Sequence, residues 1–252
     1  MIKTIKNSEV DRARISHIFT PIDNRLEHFD FSHVVVNKPW GYEYLMYQNS
    51  NVSIWVLYLK PGCLTSMHCH LNKKTVLIVI SGEAVCTTLE NGFRLKEADG
   101  LVLDKKVFHS TQAVSQDGLF LMEIETPSQK TDLLRLSDNY NRESRGYESQ
   151  DEMSKDISRY EYVFFDKEEF YQIKTLRNVY LCLTKFGNDN NIFQHRIEDN
   201  IGLYVILNGE LMNKENGDFY RVGDIIDASV LNEKEKFISR GIVEMLLIQK
   251  KL

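Results

Sequence analysis

The strongest constraint on this chain is that part of it is written twice. Val76–Asp104 reads VLIVISGEAVCTTLENGFRLKEADGLVLD, and Leu203–Asp227 reads LYVILNGELMNKENGDFYRVGDIID. Each copy runs from an apolar strand through Gly-Glu, a short strand and an Asn-Gly turn to a Gly/Asp pair and an apolar-apolar-Asp ending. Gly82 matches Gly209, Asn91-Gly92 matches Asn216-Gly217, and Gly100 falls near Gly223. A repeated strand–turn–strand unit implies two copies of one β module. The 252 residues suit two small domains.

The rest of the pattern is mostly strand. Ser53–Leu59, Thr75–Ile80, Leu119–Ile124, Val179–Thr184, Leu203–Leu207 and Glu244–Gln249 are short segments. They are rich in β-branched or aromatic residues, or lie between turn signals. Many short strands with frequent turns predict an all-β chain of barrels or sandwiches. Helical signals are few: Leu133, Leu134 and Leu136 predict a short helix over Lys130–Asn139. Ser144–Asp156 is highly polar and reads as an exposed linker. The organisation expected is an N-terminal arm over 1–33, a barrel over 34–127, a partly helical polar linker over 128–161, and a second barrel over 162–252. The arm would wrap over a barrel or pair with another subunit.

Thirty-one basic and 36 acidic residues give a net charge of −5. That argues against a broad nucleic-acid surface, which needs a basic footprint. The apolar run Val76–Ile80 is far short of the roughly 20 residues of a membrane helix. The first six residues hold no apolar signal region. Cys63, Cys69, Cys86 and Cys182 form no CxxC pair and read as reduced thiols, so a cytoplasmic location is expected.

Chemistry concentrates in three of the seven histidines. His68 and His70 are one residue apart, so on a strand both face one side. His109 follows after two hairpin-like segments, where a returning strand could place it alongside. Three imidazoles on an interior face can bind one divalent transition metal such as zinc, iron, manganese or nickel. His17, His28 and His33 fall in no such pattern.

The residues around the histidines carry a resemblance. Pro61-Gly62, His68, His70 and Gly82 follow G-x5-H-x-H followed by a strand glycine, and Ala98–His109 resembles a second motif that ends in the third histidine. The chain thus resembles the cupin superfamily, as a two-barrel bicupin. Its first barrel resembles the cupin domain of type II mannose-6-phosphate isomerases through Lys38-Pro39-Trp40-Gly41-Tyr42-Glu43, Leu59-Lys60-Pro61-Gly62, Ser66–His70 and Ile80–Ala84. The resemblance implies double-stranded β-helix barrels with an interior metal. Two positions depart from it. The usual glutamate ligand falls on Thr75, and the usual Pro-x-Gly before the last histidine reads Asp104-Lys105-Lys106. In the second copy His195 matches His68, but Ile197, Gly202 and Asn232 stand at the other positions. A metal-free second barrel is expected.

Other candidates surround this site. Trp40, Tyr42 and Tyr44 would form either an aromatic wall for a sugar or an outer packing surface. Glu123 and Glu125 face one side of their strand, and Glu123 is the candidate catalytic base if that side is the interior. Arg94, Lys105 and Lys106 are candidate anion-binding residues. Three functions fit: a metal-dependent isomerase or epimerase of a small sugar phosphate or carbohydrate precursor, a three-histidine iron dioxygenase, and a non-catalytic sugar-binding or regulatory protein. The partners expected are a small-molecule substrate and a second copy in a homodimer, with neither nucleic acid nor membrane.

Overall fold

A computed structural model describes residues 2–18, 29–143, 146–169, 171–186, 202–232 and 236–251. The chain divides into two compact units, Met1–Phe164 and Phe165–Leu252.

The first unit is two sheets folded face to face. Its strands are β1 (Ile2–Ile5), β2 (Val35–Lys38), β3 (Gly41–Gln48), β4 (Ser53–Leu59), β5 (Met67–Cys69), β6 (Lys74–Ser81), β7 (Ala84–Thr88), β8 (Gly92–Leu95), β9 (Gly100–Leu103), β10 (His109–Ala113), β11 (Leu119–Thr126), β12 (Leu134–Ser137) and β13 (Met153–Ser154). The larger sheet has the order β1-β9-β6-β11-β4-β3-β2-β13, and the smaller β12-β5-β10-β7-β8. Strand alternation sends Trp55 and Leu57 of β4, Leu77 and Val79 of β6, and Leu121 of β11 into a core shared with Ala84, Cys86 and Ala113 of the smaller sheet. The same alternation carries the polar residues of the site described below.

The N-terminal arm wraps over its own barrel. β1 pairs in parallel with β9, from Ile2 opposite Gly100 to Ile5 opposite Leu103. Helix α1 (Glu9–Ile15) follows, with a capping box in which the Ser8 hydroxyl accepts the Asp11 N–H and the Asp11 carboxylate accepts the Ser8 N–H.

Two expectations are corrected. Lys130–Asn139 is not a helix: Leu134 pairs with Cys69 and Arg135 with His68, so the segment extends the smaller sheet. Pairing to a sheet edge outweighs its weak helical pattern. Residues 128–161 are not a linker either. They belong to the first unit, where Met153 pairs with Val36 and Glu148 is buried.

The second unit contains β14 (Tyr171–Leu176), β15 (Val179–Phe186), β16 (Leu203–Asn213), β17 (Phe219–Tyr220), β18 (Ile225–Asp227) and β19 (Phe237–Lys250). Its described strands form one sheet, β14-β15-β19-β16-β17, with β18 also on β16. Ile206, Leu211, Ile226, Phe237, Val243 and Met245 are part of its core. His195 and Ile197 lie outside the described residues.

The sequence repeat recurs as repeated geometry. Gly82 has φ +92° and Gly209 φ +73°. A Cβ on Gly82 would sit 2.5 Å from the Gly118 carbonyl oxygen, and one on Gly209 2.5 Å from that of Ile242. Both sites need glycine for conformation and for close approach of the neighbouring strand. The next residue, Glu83 or Glu210, pairs with an arginine eleven positions on, Arg94 or Arg221. Asp99 and Asp224 then close matching turns, their carboxylates accepting the N–H groups of Lys96 and Arg221. Among the described residues no helix is long and apolar enough to cross a membrane.

Candidate metal centre

Two strands bring the histidines together. His68 and the flanking His70 come from β5 and its end, and His109 opens β10 directly opposite His68. The ring centroids lie 4.4 Å apart for His68–His109, 5.0 Å for His68–His70 and 5.4 Å for His70–His109. Glu123 joins from β11, where it pairs with Leu77 of β6. One donor atom from each of these four residues lies within 4.8 Å of the others.

The hydrogen bonds set the direction of each ring. His68 Nδ1 bonds to the Ser66 carbonyl at 2.8 Å, His70 Nδ1 to the Asp132 carbonyl at 2.6 Å, and His109 Nδ1 to the Val107 carbonyl at 3.0 Å. A carbonyl only accepts, so each Nδ1 carries the proton and each Nε2 keeps its lone pair. The Nε2 atoms of His70 and His109 are buried and have no hydrogen-bond partner among the described residues. Burial, reinforced by Lys73 and the His109 imidazole, depresses the basicity of His70; burial also lowers that of His68 and His109. Three neutral imidazoles with converging lone pairs beside a carboxylate form a donor set suited to a divalent transition metal.

Thr75 occupies the position expected for the glutamate ligand, and it is buried there. Glu123 instead supplies a carboxylate from the adjacent strand, its Oε1 3.7 Å from His70 Nε2. Glu123 and Glu125 both face the interior, and their surroundings differ. Glu125 receives Lys73 Nζ at 2.5 Å and the Ser53 hydroxyl at 3.1 Å.

The cluster opens on a cavity lined in part by Trp40, Glu43, Lys130, Arg135, Arg142 and Tyr147. Its far side is an ionic network. Lys38 contacts Glu148 and Glu43, Lys130 Nζ lies 2.9 Å from Glu43, and Arg142 bridges Asp138 at 2.7 Å and Glu148 at 2.5 Å. Tyr147 donates its hydroxyl to Glu43. Burial alone would raise the Glu43 pKa, but Lys130 and Lys38 outweigh it and hold the value at about 2. Lys130 stands 3.6 Å above the Trp55 ring, a cation–π contact within the interior.

Sequence reasoning located the histidines, Glu123 and Trp40, all of which line this cavity. Arg94, Lys105 and Lys106 are not among the residues lining it. Arg94 is exposed and paired with Glu83, an arrangement its twin Arg221 repeats with Glu210. The exposed Lys105 and Lys106 contribute backbone: the Lys106 N–H donates to the His70 carbonyl at 2.7 Å. Tyr42 and Tyr44 lie in outer stacks, with Tyr58 and Tyr160 and with Tyr162. Lys38, Glu43, Lys130, Arg135, Arg142 and Tyr147 were missed as site residues. The Asp138/Arg142 spacing of four was the local signal that the polar segment holds ion pairs.

Comparison with known proteins agrees on the first unit. Residues 24–138 match the family model described as mannose-6-phosphate isomerase C-terminal. A mannose-1-phosphate guanylyltransferase from Salmonella muenchen is 28% identical over 116 residues, which are 45% of this chain. The chain spans only 24% of that protein's length. Among solved structures, a mutant of Bacillus subtilis oxalate decarboxylase is 13% identical, with 88% of this chain and 76% of that one covered at a TM-score of 0.43. A putative sugar phosphate isomerase from Acidithiobacillus ferrooxidans is 17% identical, with 35% and 62% covered at a TM-score of 0.31. By its matched residues and its two-sheet barrel, the first unit of this chain resembles the C-terminal domain of mannose-6-phosphate isomerases.

Proposed function

We propose that the first unit is a metal-dependent enzyme that isomerises or epimerises a small sugar phosphate or related carbohydrate precursor. The observation that carries this reading is the convergence of three Nε2 lone pairs and the Glu123 carboxylate on one wall of a charged cavity. The family match over the same residues supports the substrate class.

His68, His70, His109 and Glu123 would hold the metal, whose chemistry when bound is Lewis-acid polarisation of a carbonyl or hydroxyl oxygen. Glu123 presents one oxygen to the histidines, and Oε2 is the atom at which we place the transferred proton. Glu125 is occupied by Lys73 and Ser53 and is not assigned that task. Lys130, at 11% side-chain exposure, is the least buried of the cavity cations named above. It is positioned to meet an anionic group of the substrate, while Trp40 offers an apolar wall to a sugar face. The iron dioxygenase alternative was motivated by a missing carboxylate, which Glu123 supplies.

Metal analysis of the purified protein tests this directly. Wild type should carry about one zinc, iron, manganese or nickel ion per chain, and the His68→Ala/His70→Ala variant none. Incubated with a panel of hexose phosphates in deuterated water, wild type should exchange the hydrogen on the carbon beside the carbonyl, as read by NMR. Metal retained by the double variant would refute the site, and metal-loaded wild type that exchanges no hydrogen would refute the reaction.

A further inference from the structure

Two buried aspartates grip the backbone on which His70 and His109 are mounted. Asp132 is 7% exposed. Its carboxylate accepts the N–H groups of Leu71 at 2.9 Å, Asn72 at 2.8 Å and Lys73 at 3.0 Å, the three residues that follow His70. Its carbonyl also receives the His70 Nδ1 proton. One residue thus fixes both the turn after His70 and the rotation of the ring.

Asp11 is 4% exposed and does the corresponding job for His109 from the N-terminal arm. Its Oδ1 accepts the Phe108 N–H at 3.0 Å, directly before His109, while Oδ2 accepts the Ser8 N–H at 2.8 Å. The arm holds the same loop at two further points: the Asp104 N–H donates to the Ile5 carbonyl, and the Asn7 amide donates to the Lys105 carbonyl. A buried carboxylate is costly unless its oxygens are satisfied. Here the charge-assisted bonds run to backbone beside the histidines, so they hold that backbone in place.

We infer that Asp132 and Asp11 are positioning residues that set the affinity and coordination geometry of the metal centre. This rests on the metal-binding reading above. Asp11 lies outside residues 24–138, so the matched family segment does not include it. The arm is therefore a working part of the site.

Cobalt(II) titration of chelator-treated protein, followed by visible absorption and by competition with a chelator, tests the inference. Wild type should bind one ion per chain. Asp132→Ala and Asp11→Ala should weaken binding by about tenfold to a hundredfold, the range for groups that orient metal ligands. The absorption bands of the bound cobalt should change as well, which a merely structural loss would not cause. Asp11→Asn keeps an acceptor for the Phe108 N–H and should recover most of the affinity. If Asp132→Ala does not fold, the two Asp11 variants carry the same comparison. Variants that bind like wild type with unchanged spectra would overturn the inference. Wild type that binds no cobalt would instead overturn the metal centre itself.

Discussion

The repeated modules share a backbone design but bury different chemistry. In β11, Glu123 stands opposite Leu77 and Glu125 opposite Thr75. β19 makes the corresponding pairing in the second unit. There Leu247 stands opposite Tyr204, which matches Leu77, so Leu247 occupies the place of Glu123. Continuing the register, Gln249 occupies the place of Glu125. The first interior is a charged cavity, whereas the second has an apolar core of Ile206, Leu211, Phe237 and their neighbours. Glycine-dependent turns and the glutamate–arginine pair recur in both, so they belong to the architecture. The metal-type cluster is found in the first unit alone among the described residues, and the proposed function rests on it.

The largest expected effect tests whether the first interior depends on its ionic network. Glu43→Gln leaves Lys38 and Lys130 facing a neutral amide, and should cost about 3–5 kcal/mol at pH 7, the usual penalty for breaking a buried pair. The carboxyl has a folded-state pKa near 2, against 4.5 for the unperturbed group. Its stabilisation is therefore complete above about pH 4.5 and disappears as pH falls through 2. Denaturant unfolding should show the wild-type advantage over the variant shrinking across that window. An equal difference at pH 7 and pH 2.5 would contradict the assignment.

Next, Glu123→Leu converts the first register into the second. It removes a buried carboxylate, so the metal-free protein should be no less stable than wild type. Metal affinity should fall more than about a hundredfold, beyond the range for ligand-orienting groups. Calorimetric metal titration and thermal unfolding of the same preparation give both readouts. Undiminished affinity would remove Glu123 from the donor set.

The balance between what sequence reveals and what it hides follows from chain distance. His68 and His70 share a face because strands have a period of two, and that is readable without coordinates. The same period predicted that Glu123 and Glu125 face together, but the side they face depends on β4 and β6 lying on either side of β11. The cavity cations were hidden for a different reason. Arg142 and Glu148 come from the stretch 128–161 that reads as a polar linker, and burying them depends on partners such as Lys38, 110 residues from Glu148. Arg94 was a candidate anion-binding residue, and the repeat offers it an architectural role: Glu210 and Arg221 recur at the same spacing in a unit whose described residues hold no metal cluster.

The smallest effect tests the shared architecture. Gly82→Ala and Gly209→Ala would each place a Cβ 2.5 Å from a neighbouring carbonyl oxygen at a positive φ. Left-handed backbone at a non-glycine residue costs about 1–3 kcal/mol, and both variants should lose stability in that range. The steric demands are alike, so the two losses should match within about 1 kcal/mol, as measured by denaturant unfolding. They should differ in one respect. Gly82 joins β6 to β7, and β7 pairs with β10, which carries His109. Gly82→Ala should therefore also weaken metal binding, whereas Gly209→Ala should leave it unchanged. Equal effects of the two glycines on metal binding would mean that the architecture and the site cannot be separated in this way.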